Sequence, residues 1–291
     1  MKPAPFNYHR PSSIEEAIGL LATYAGEAKL IAGGQSLMPM LAFRLLAPVA
    51  LVDVAGLPGL DTITLDDDEL RLGARVRWRD IEHHPMLASR YPLLLEAVRH
   101  VAHYQIRNRG TVGGSLAHAD PAAEFPAVAL LHDAKVEIAG PIGRRTIAVN
   151  DFLLGMLTTD LAEDEIILGI RLPLWPEGAR WGFREFARRR GDFAMAGIAL
   201  RFTCANGAIA APVVVAFGVG PRAVRLAGAE DLLRHARPQD DLIAAFGAAV
   251  AGAAEMDPPL DPQGSPDYRR ALAASLAERA LADAIGRQVA P

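Results

Sequence analysis

Two glycine-rich runs carry the most chemistry in this chain: Ile31-Ala32-Gly33-Gly34-Gln35-Ser36-Leu37 and Gly110-Thr111-Val112-Gly113-Gly114-Ser115-Leu116, about eighty residues apart. Glycine admits positive φ and a close backbone approach, so successive N–H groups can converge on the oxygens of an anion. Two such turns suggest two backbone clamps on one ligand, and a dinucleotide pyrophosphate suits that arrangement. In this reading Ala32 to Ser36 and Thr111 to Ser115 hold the pyrophosphate mainly through their amides, with Ser36 and Ser115 adding hydroxyl donors. Neither run has the lysine ending of a phosphate loop or the three-glycine spacing of the nicotinamide fingerprint. Valine at Gly33 and Gly114 is expected to block loading through lost φ freedom and added bulk.

Further candidates follow the second run. His118, Asp120 and Glu124 invite a metal or acid–base reading, but one histidine beside acids does not make a metal site. Asp120 precedes Pro121 and suits the cap of a short helix. Glu124 could equally be a solvent-facing helix end or half of a local salt bridge. Arg184, Arg188, Arg189, Asp192 and Phe193 lie in an aromatic and basic stretch that reads either as a solvated loop or as a surface meeting the ligand. Tyr104, with Tyr8 and His103, is either a wall of the site or ordinary packing. No nucleophile elbow is present.

With 291 residues and 51% apolar content, the chain can bury a substantial core without staples. Cys204 is its single cysteine, which excludes a disulfide framework and cannot by itself ligate an iron–sulfur cluster. A net charge of −4 without a basic tract weighs against nucleic acid as a partner. No apolar stretch reaches membrane-spanning length and no signal pattern opens the chain, so a cytoplasmic protein is expected, with attachment to the inner membrane face through a larger complex as the alternative.

The elements that must position these residues can be sketched from pattern. Ser12 or Ser13 with Glu15 or Glu16 predicts a helix start. Lys29 to Ala32 reads as a strand entering the first run, and Ser36 as the cap of a helix from Met38 to Leu45. Strands are predicted at Leu51 to Val54, Leu70 to Val76, Lys135 to Ala139, Arg145 to Val149 and Ile166 to Leu172. Helices are predicted at Tyr91 to His103 and near Asp151 to Leu157. Asn206-Gly207 between two apolar runs signals a hairpin. Three helices close the chain, around Glu230 to Ala236, Leu242 to Ala254 and Tyr268 to Ala284.

Taken together, Ala32-Gly33-Gly34-Gln35-Ser36, the run from Gln105 to Ser115 and Arg188-Arg189-Arg190-Gly191-Asp192-Phe193 resemble the medium, flavin-binding subunit of the molybdenum hydroxylases, over nearly the whole chain. The group includes bacterial carbon monoxide dehydrogenases and split-subunit xanthine dehydrogenases. The resemblance implies an α+β fold: a two-part FAD-binding module of the vanillyl-alcohol oxidase (PCMH) type at 1–178, subdivided near residue 56, and a smaller domain at 179–291 with a three-stranded sheet and helices. It implies FAD bound by residues 32–37, Tyr104, Thr111, Gly113, Gly114, Ser115, Asp120, Glu124 at the ribose, Arg184, Asp192 and Phe193. It also implies partners: a large molybdopterin subunit that oxidises substrate and a small subunit with two [2Fe–2S] clusters, assembled as a dimer of heterotrimers. A standalone FAD-dependent NAD(P)H reductase and a non-catalytic flavin-binding module are the competing readings.

Overall fold

Ser13 starts the first helix as its residue type predicts. In the computed structural model, which describes residues 2–238 and 240–286, α1 (Ile14–Tyr24) opens with Ser13 Oγ accepting the Glu16 amide at 3.1 Å. The Glu16 carboxylate accepts in turn from the Ser12 amide and hydroxyl at 2.8 and 3.0 Å, so donors at the helix start are satisfied by reciprocal side-chain contacts. Beside α1 lie β1 (Asn7–His9), β2 (Ala28–Ile31) and β3 (Ala50–Asp53), a parallel sheet in the order β1-β3-β2. Ala17 and Leu21 of α1 share a buried core with Ala28, Ala50, Val52 and Leu57. β2 delivers the chain into the first glycine run, and α2 (Leu37–Ala42) leaves it.

A second sheet follows, built from β4 (Ile63–Leu65), β5 (Glu69–Gly73), β6 (Lys135–Gly140), β7 (Gly143–Ala148) and, after the short ribbon β8 (Leu153–Gly155) and β9 (Thr158–Thr159), β10 (Ile166–Pro173). Its order is β4-β5-β10-β6-β7, antiparallel throughout. Glu137 on β6 bridges Arg71 of β5 at 2.7 Å and Arg171 of β10 at 2.6 Å. Burial pushes the Glu137 carboxyl up, but the two guanidiniums prevail and hold it below the ordinary carboxylate value. The helix expected at Asp151 to Leu157 is replaced by one turn, α9 (Val149–Phe152), and the ribbon.

Along the chain between β5 and β6 run α3 (Trp78–Glu82), α4 (Leu87–Arg90), α5 (Pro92–His100), α6 (Tyr104–Arg107), α7 (Val112–His118) and α8 (Glu124–Leu131). They divide between two units. The first comprises residues 1–84, 103–118 and 134–173, and the second 85–102, 119–133 and 174–291. The last segment of the second unit thus begins close to the expected boundary at 178, and two earlier segments join it. The reason is burial: every residue of α8 is buried, and it packs on the C-terminal sheet and on α5. The outer limits of the expected domains, Met1 and residues 287–291, lie outside the described residues.

That C-terminal sheet contains β11 (Arg180–Phe186), β12 (Ala196–Ala205), β13 (Ala208–Phe217) and β14 (Val224–Arg225) in sequential order. It is the expected three-stranded sheet with a two-residue fourth strand added at its edge. Asn206 and Gly207, with φ of 52° and 77°, make the predicted tight hairpin turn. Helices α10 (Ala227–Leu233), α11 (Asp240–Ala251) and α12 (Pro266–Gly286) cover it. Buried Arg269 of α12 donates to the carbonyls of Met195 and Gly218 at 2.6 and 3.1 Å and pairs with Asp261 at 2.8 Å. At Gly182 of β11 a Cβ would lie 2.1 Å from the backbone carbonyl oxygen of Ala280 in α12. Gly182→Ala should therefore push β11 off α12 and cost about 1–3 kcal/mol, measured as a lower urea midpoint at an unchanged slope.

Candidate functional site

The two glycine turns lie against each other in the first unit. A Cβ on Gly33 would sit 2.1 Å from the Arg109 carbonyl oxygen, so the contact is backbone on backbone and excludes any side chain. The positive φ belongs to Gly34, at 72°, and neither Gly33 nor Gly114 shares it. This corrects the expected reason for glycine at Gly33 and Gly114: the first is required by close approach, and at the second a Cβ meets only the tip of the Thr111 side chain. The Gly33 carbonyl accepts from Gln35 Nε2 at 2.9 Å and Arg109 Nε at 3.4 Å. With that carbonyl engaged, the amides of Gly33, Gly34, Gln35 and Ser36 donate to no acceptor among the described residues. Ser36 makes no side-chain cap bond to α2, contrary to expectation, and Leu37 is the first residue of that helix.

The second turn spends its amides internally. Val112 and Gly113 donate to the carbonyls of Val76 and Ala74 at 3.0 and 2.8 Å, and Ser115 donates to the Thr111 carbonyl at 3.0 Å. Gly114 donates to Thr111 Oγ1 at 3.2 Å. The two turns are thus unequal clamps: the first offers a row of N–H groups, while the second is pinned to the segment 74–78 and starts α7. Between them opens a cleft of about 130 Å³ lined by Ala32, Gly33, Thr111, Asp53, Ala55 and three arginines, Arg75, Arg77 and Arg109. Arg75 is engaged with the Leu57 carbonyl at 3.2 Å, whereas Arg77 makes no ion pair among the described residues. Convergent amides and guanidiniums are the donor set a diphosphate requires. Arg75 and Arg77 lay outside the sequence reading because pairing of Arg77 with Thr111 across an isolated antiparallel bridge leaves no local pattern. Tyr104 heads α6 and is 60% exposed, which places it on the surface of this unit.

The remaining candidates belong to the second unit. Asp120 caps the turn before α8, its Oδ1 accepting the Ala122 amide at 2.8 Å. Glu124 opens α8 and is only 5% exposed, so the solvent-facing reading of this residue fails. Burial and then the charge of Glu185 push the Glu124 carboxyl up to about 8, against smaller pulls from its own backbone amide and from His100, with Asp120 adding the weakest push. His100, at the end of α5, places Nδ1 3.1 Å from Glu185 Oε1 and Nε2 3.7 Å from Glu96. Those two acids raise it to about 9 despite burial. Arg184 is tied to Asp283 of α12 at 2.7 Å. Asp192 and Phe193 are exposed on a turn in which the Asp192 amide donates to Arg189 at 3.1 Å.

Comparison with known proteins agrees with this arrangement of paired turns and a separate C-terminal sheet. Residues 4–175 match the FAD binding domain in molybdopterin dehydrogenase, and residues 181–284 the CO dehydrogenase flavoprotein C-terminal domain. The chain belongs to the medium, FAD-binding subunits of the molybdenum hydroxylase family. It is 39% identical over 99% of its length to all of the nicotine 6-hydroxylase medium subunit of Paenarthrobacter nicotinovorans. Among solved structures it is similar to a carbon monoxide dehydrogenase chain from Hydrogenophaga pseudoflava, with a TM-score of 0.95 and 35% identity over 99% of this chain and 100% of that one. Quinoline 2-oxidoreductase from Pseudomonas putida 86 gives 0.93 and 35% over 98% of each.

For this medium subunit two outcomes follow. Gly33→Val should leave a purified chain without flavin, whereas Gly114→Ala should retain most of it, as read from the 450 nm absorbance per polypeptide (roughly, the flavin band); equal loss in both would contradict the unequal clamps. Raised folded values at Glu124 and His100 also set a pH trend. The unfolded chain releases these protons near the ordinary 4.5 and 6.5, the folded one only near 8 and 9, so their stabilisation is complete below the lower values and is lost as pH rises through the higher ones. Melting temperature should fall between pH 6.5 and 9, and less steeply in Glu124→Gln.

Proposed function

We propose that this subunit binds FAD as the electron outlet of a molybdenum hydroxylase, receiving electrons from a small subunit with two [2Fe–2S] clusters and passing them to an external acceptor. The observation that carries this is the first glycine turn, whose amides from Gly33 to Ser36 donate to no acceptor among the described residues and whose Gly33 lines one cleft with Arg77. When bound, FAD supplies the reversible redox chemistry that side chains lack. The chain's own residues then have defined tasks. Amides of the first turn and Arg77 hold the diphosphate, the pinned second turn fixes the depth of the cleft, and Glu124 meets sugar hydroxyls. Asp120 orients the start of α8, while Tyr104, Arg184, Asp192 and Phe193 supply contacts or electrostatic tuning on the flavin side.

The lone Cys204 cannot provide the ligands of an iron–sulfur relay, which supports placing both clusters, and the molybdopterin centre with the substrate pocket, on partner chains. The relatives' names span nicotine, quinoline and carbon monoxide, in keeping with substrate choice made in the large subunit rather than here. No described helix is long and apolar enough to cross a membrane. In our reading the assembly is a cytoplasmic dimer of heterotrimers.

Native mass spectrometry of the complex purified with its neighbouring gene products should give equal copies of three chains, duplicated, with one FAD per medium subunit. Substrate added anaerobically should bleach the flavin only when the small subunit is present. Bleaching of the isolated chain by NADH, with no partner found, would instead establish the standalone reductase.

A further inference from the structure

The first glycine turn fixes its peptides by two different means. The carbonyls of Gly34 and Ser36 accept the backbone amides of Met38 and Met40 at 3.0 and 3.3 Å, so both are set by the start of α2. The carbonyl of Gly33 is held by side chains instead: Gln35 Nε2 donates to it at 2.9 Å and Arg109 Nε at 3.4 Å. Gln35 belongs to the turn itself. Arg109 stands immediately before the second glycine run, and its own backbone carbonyl is the one on which Gly33 packs.

The peptide between Gly33 and Gly34 needs such holding. A trans peptide directs its C=O and its N–H in opposite senses, and turning the whole plane over requires only changes in ψ of Gly33 and φ of Gly34. Glycine occupies both halves of φ space, so neither residue opposes that flip with a Cβ of its own. Gly34 has a φ of 72°, and the flip carries it to negative φ. In the observed orientation the Gly34 N–H points opposite to the carbonyl that the two side chains hold, and it donates to no acceptor among the described residues. In the flipped orientation a carbonyl oxygen takes its place, which repels an anion where the N–H attracts it.

We infer that the side chains of Gln35 and Arg109 are positioning groups that lock the Gly33–Gly34 peptide with its N–H available to the diphosphate of FAD. This rests on the reading of the first turn as the diphosphate clamp. The Gln35 side chain thus serves the cofactor by holding a neighbouring carbonyl. Arg109 reaches the same carbonyl from the edge of the second run, so the run that spends its own amides internally still governs a donor of the other. Two donors on one oxygen also back each other up: while either remains, the flipped form stays a minority.

The test titrates FAD into the flavin-stripped full chain, followed by fluorescence quenching, in a double-mutant cycle. Gln35 is half-buried and Arg109 exposed, so Gln35→Leu and Arg109→Leu should keep the fold, as checked by their melting temperatures. Each alone should raise the dissociation constant by only about twofold, and the two together by roughly tenfold or more, because affinity falls only once the flipped form predominates. The signature is a double variant worse than the product of the singles. Loss of a direct contact, of a charge or of packing at two independent positions gives the product itself. Crystals of the flavin-free double variant should show the Gly33 carbonyl reversed and Gly34 at negative φ. A double variant no worse than the product overturns the inference. If the wild-type chain takes up no FAD, the flavin reading fails, and the crystal structure alone then decides the lock: a reversed carbonyl supports it, and an unmoved one refutes it.

Discussion

The first unit depends on one backbone-to-backbone contact. Gly33 lies so close to the Arg109 carbonyl that no side chain fits, and this contact brings together two turns far apart in sequence. Everything else in the cleft inherits its geometry from that approach. The Arg109 side chain can reach the Gly33 carbonyl, the Gly33 carbonyl is therefore engaged with protein, and the amides that follow are left to donate elsewhere. Backbone pairing of Arg77 with Thr111 then keeps that arginine in the lining of the same cleft. A row of N–H dipoles with fixed cations is preorganised for negative charge, because its donors need not be reoriented when an anion arrives.

The inequality of the two turns follows from elementary hydrogen-bond accounting. Buried amides must be paired, and the buried Val112 and Gly113 satisfy this by donating to the carbonyls of residues 76 and 74. Their glycine content serves close packing, not donation. The first turn is only partly buried, so its amides can remain without a protein acceptor at little cost. Similar sequences thus perform different jobs: one presents donors, and the other sets a wall.

The second unit shows the same accounting applied to charge. Its α8 is buried along its whole length, and an acid at the first turn of such a helix is costly unless it is neutral or paired. At Glu124 burial and the charge of Glu185 outweigh the pull of His100, so neutrality is its cheaper state. The surface pairs of this unit, such as Arg184 with Asp283, contribute little by comparison because water competes for both partners.

Much of this was legible in the sequence where the deciding interaction is local. Ser13 with Glu16 started α1, Asn206-Gly207 turned the hairpin, Pro92 opened α5, and the glycine runs marked the cleft, since in each case the partners lie within a few residues and the chain's own sterics choose the conformation. The strand β11 escaped notice because its burial alternates with exposed Arg184 and Phe186, and the helix near Asp151 was overdrawn because ribbon pairing of β8 with β9 competes with it. Tertiary structure alone decided which glycine needs positive φ and which needs space, which turn keeps its amides free, and that Glu124 is buried beside Glu185 and His100. Those outcomes rest on contacts between segments remote along the chain, and residue type at one position carries no information about which backbone or charge will arrive opposite it.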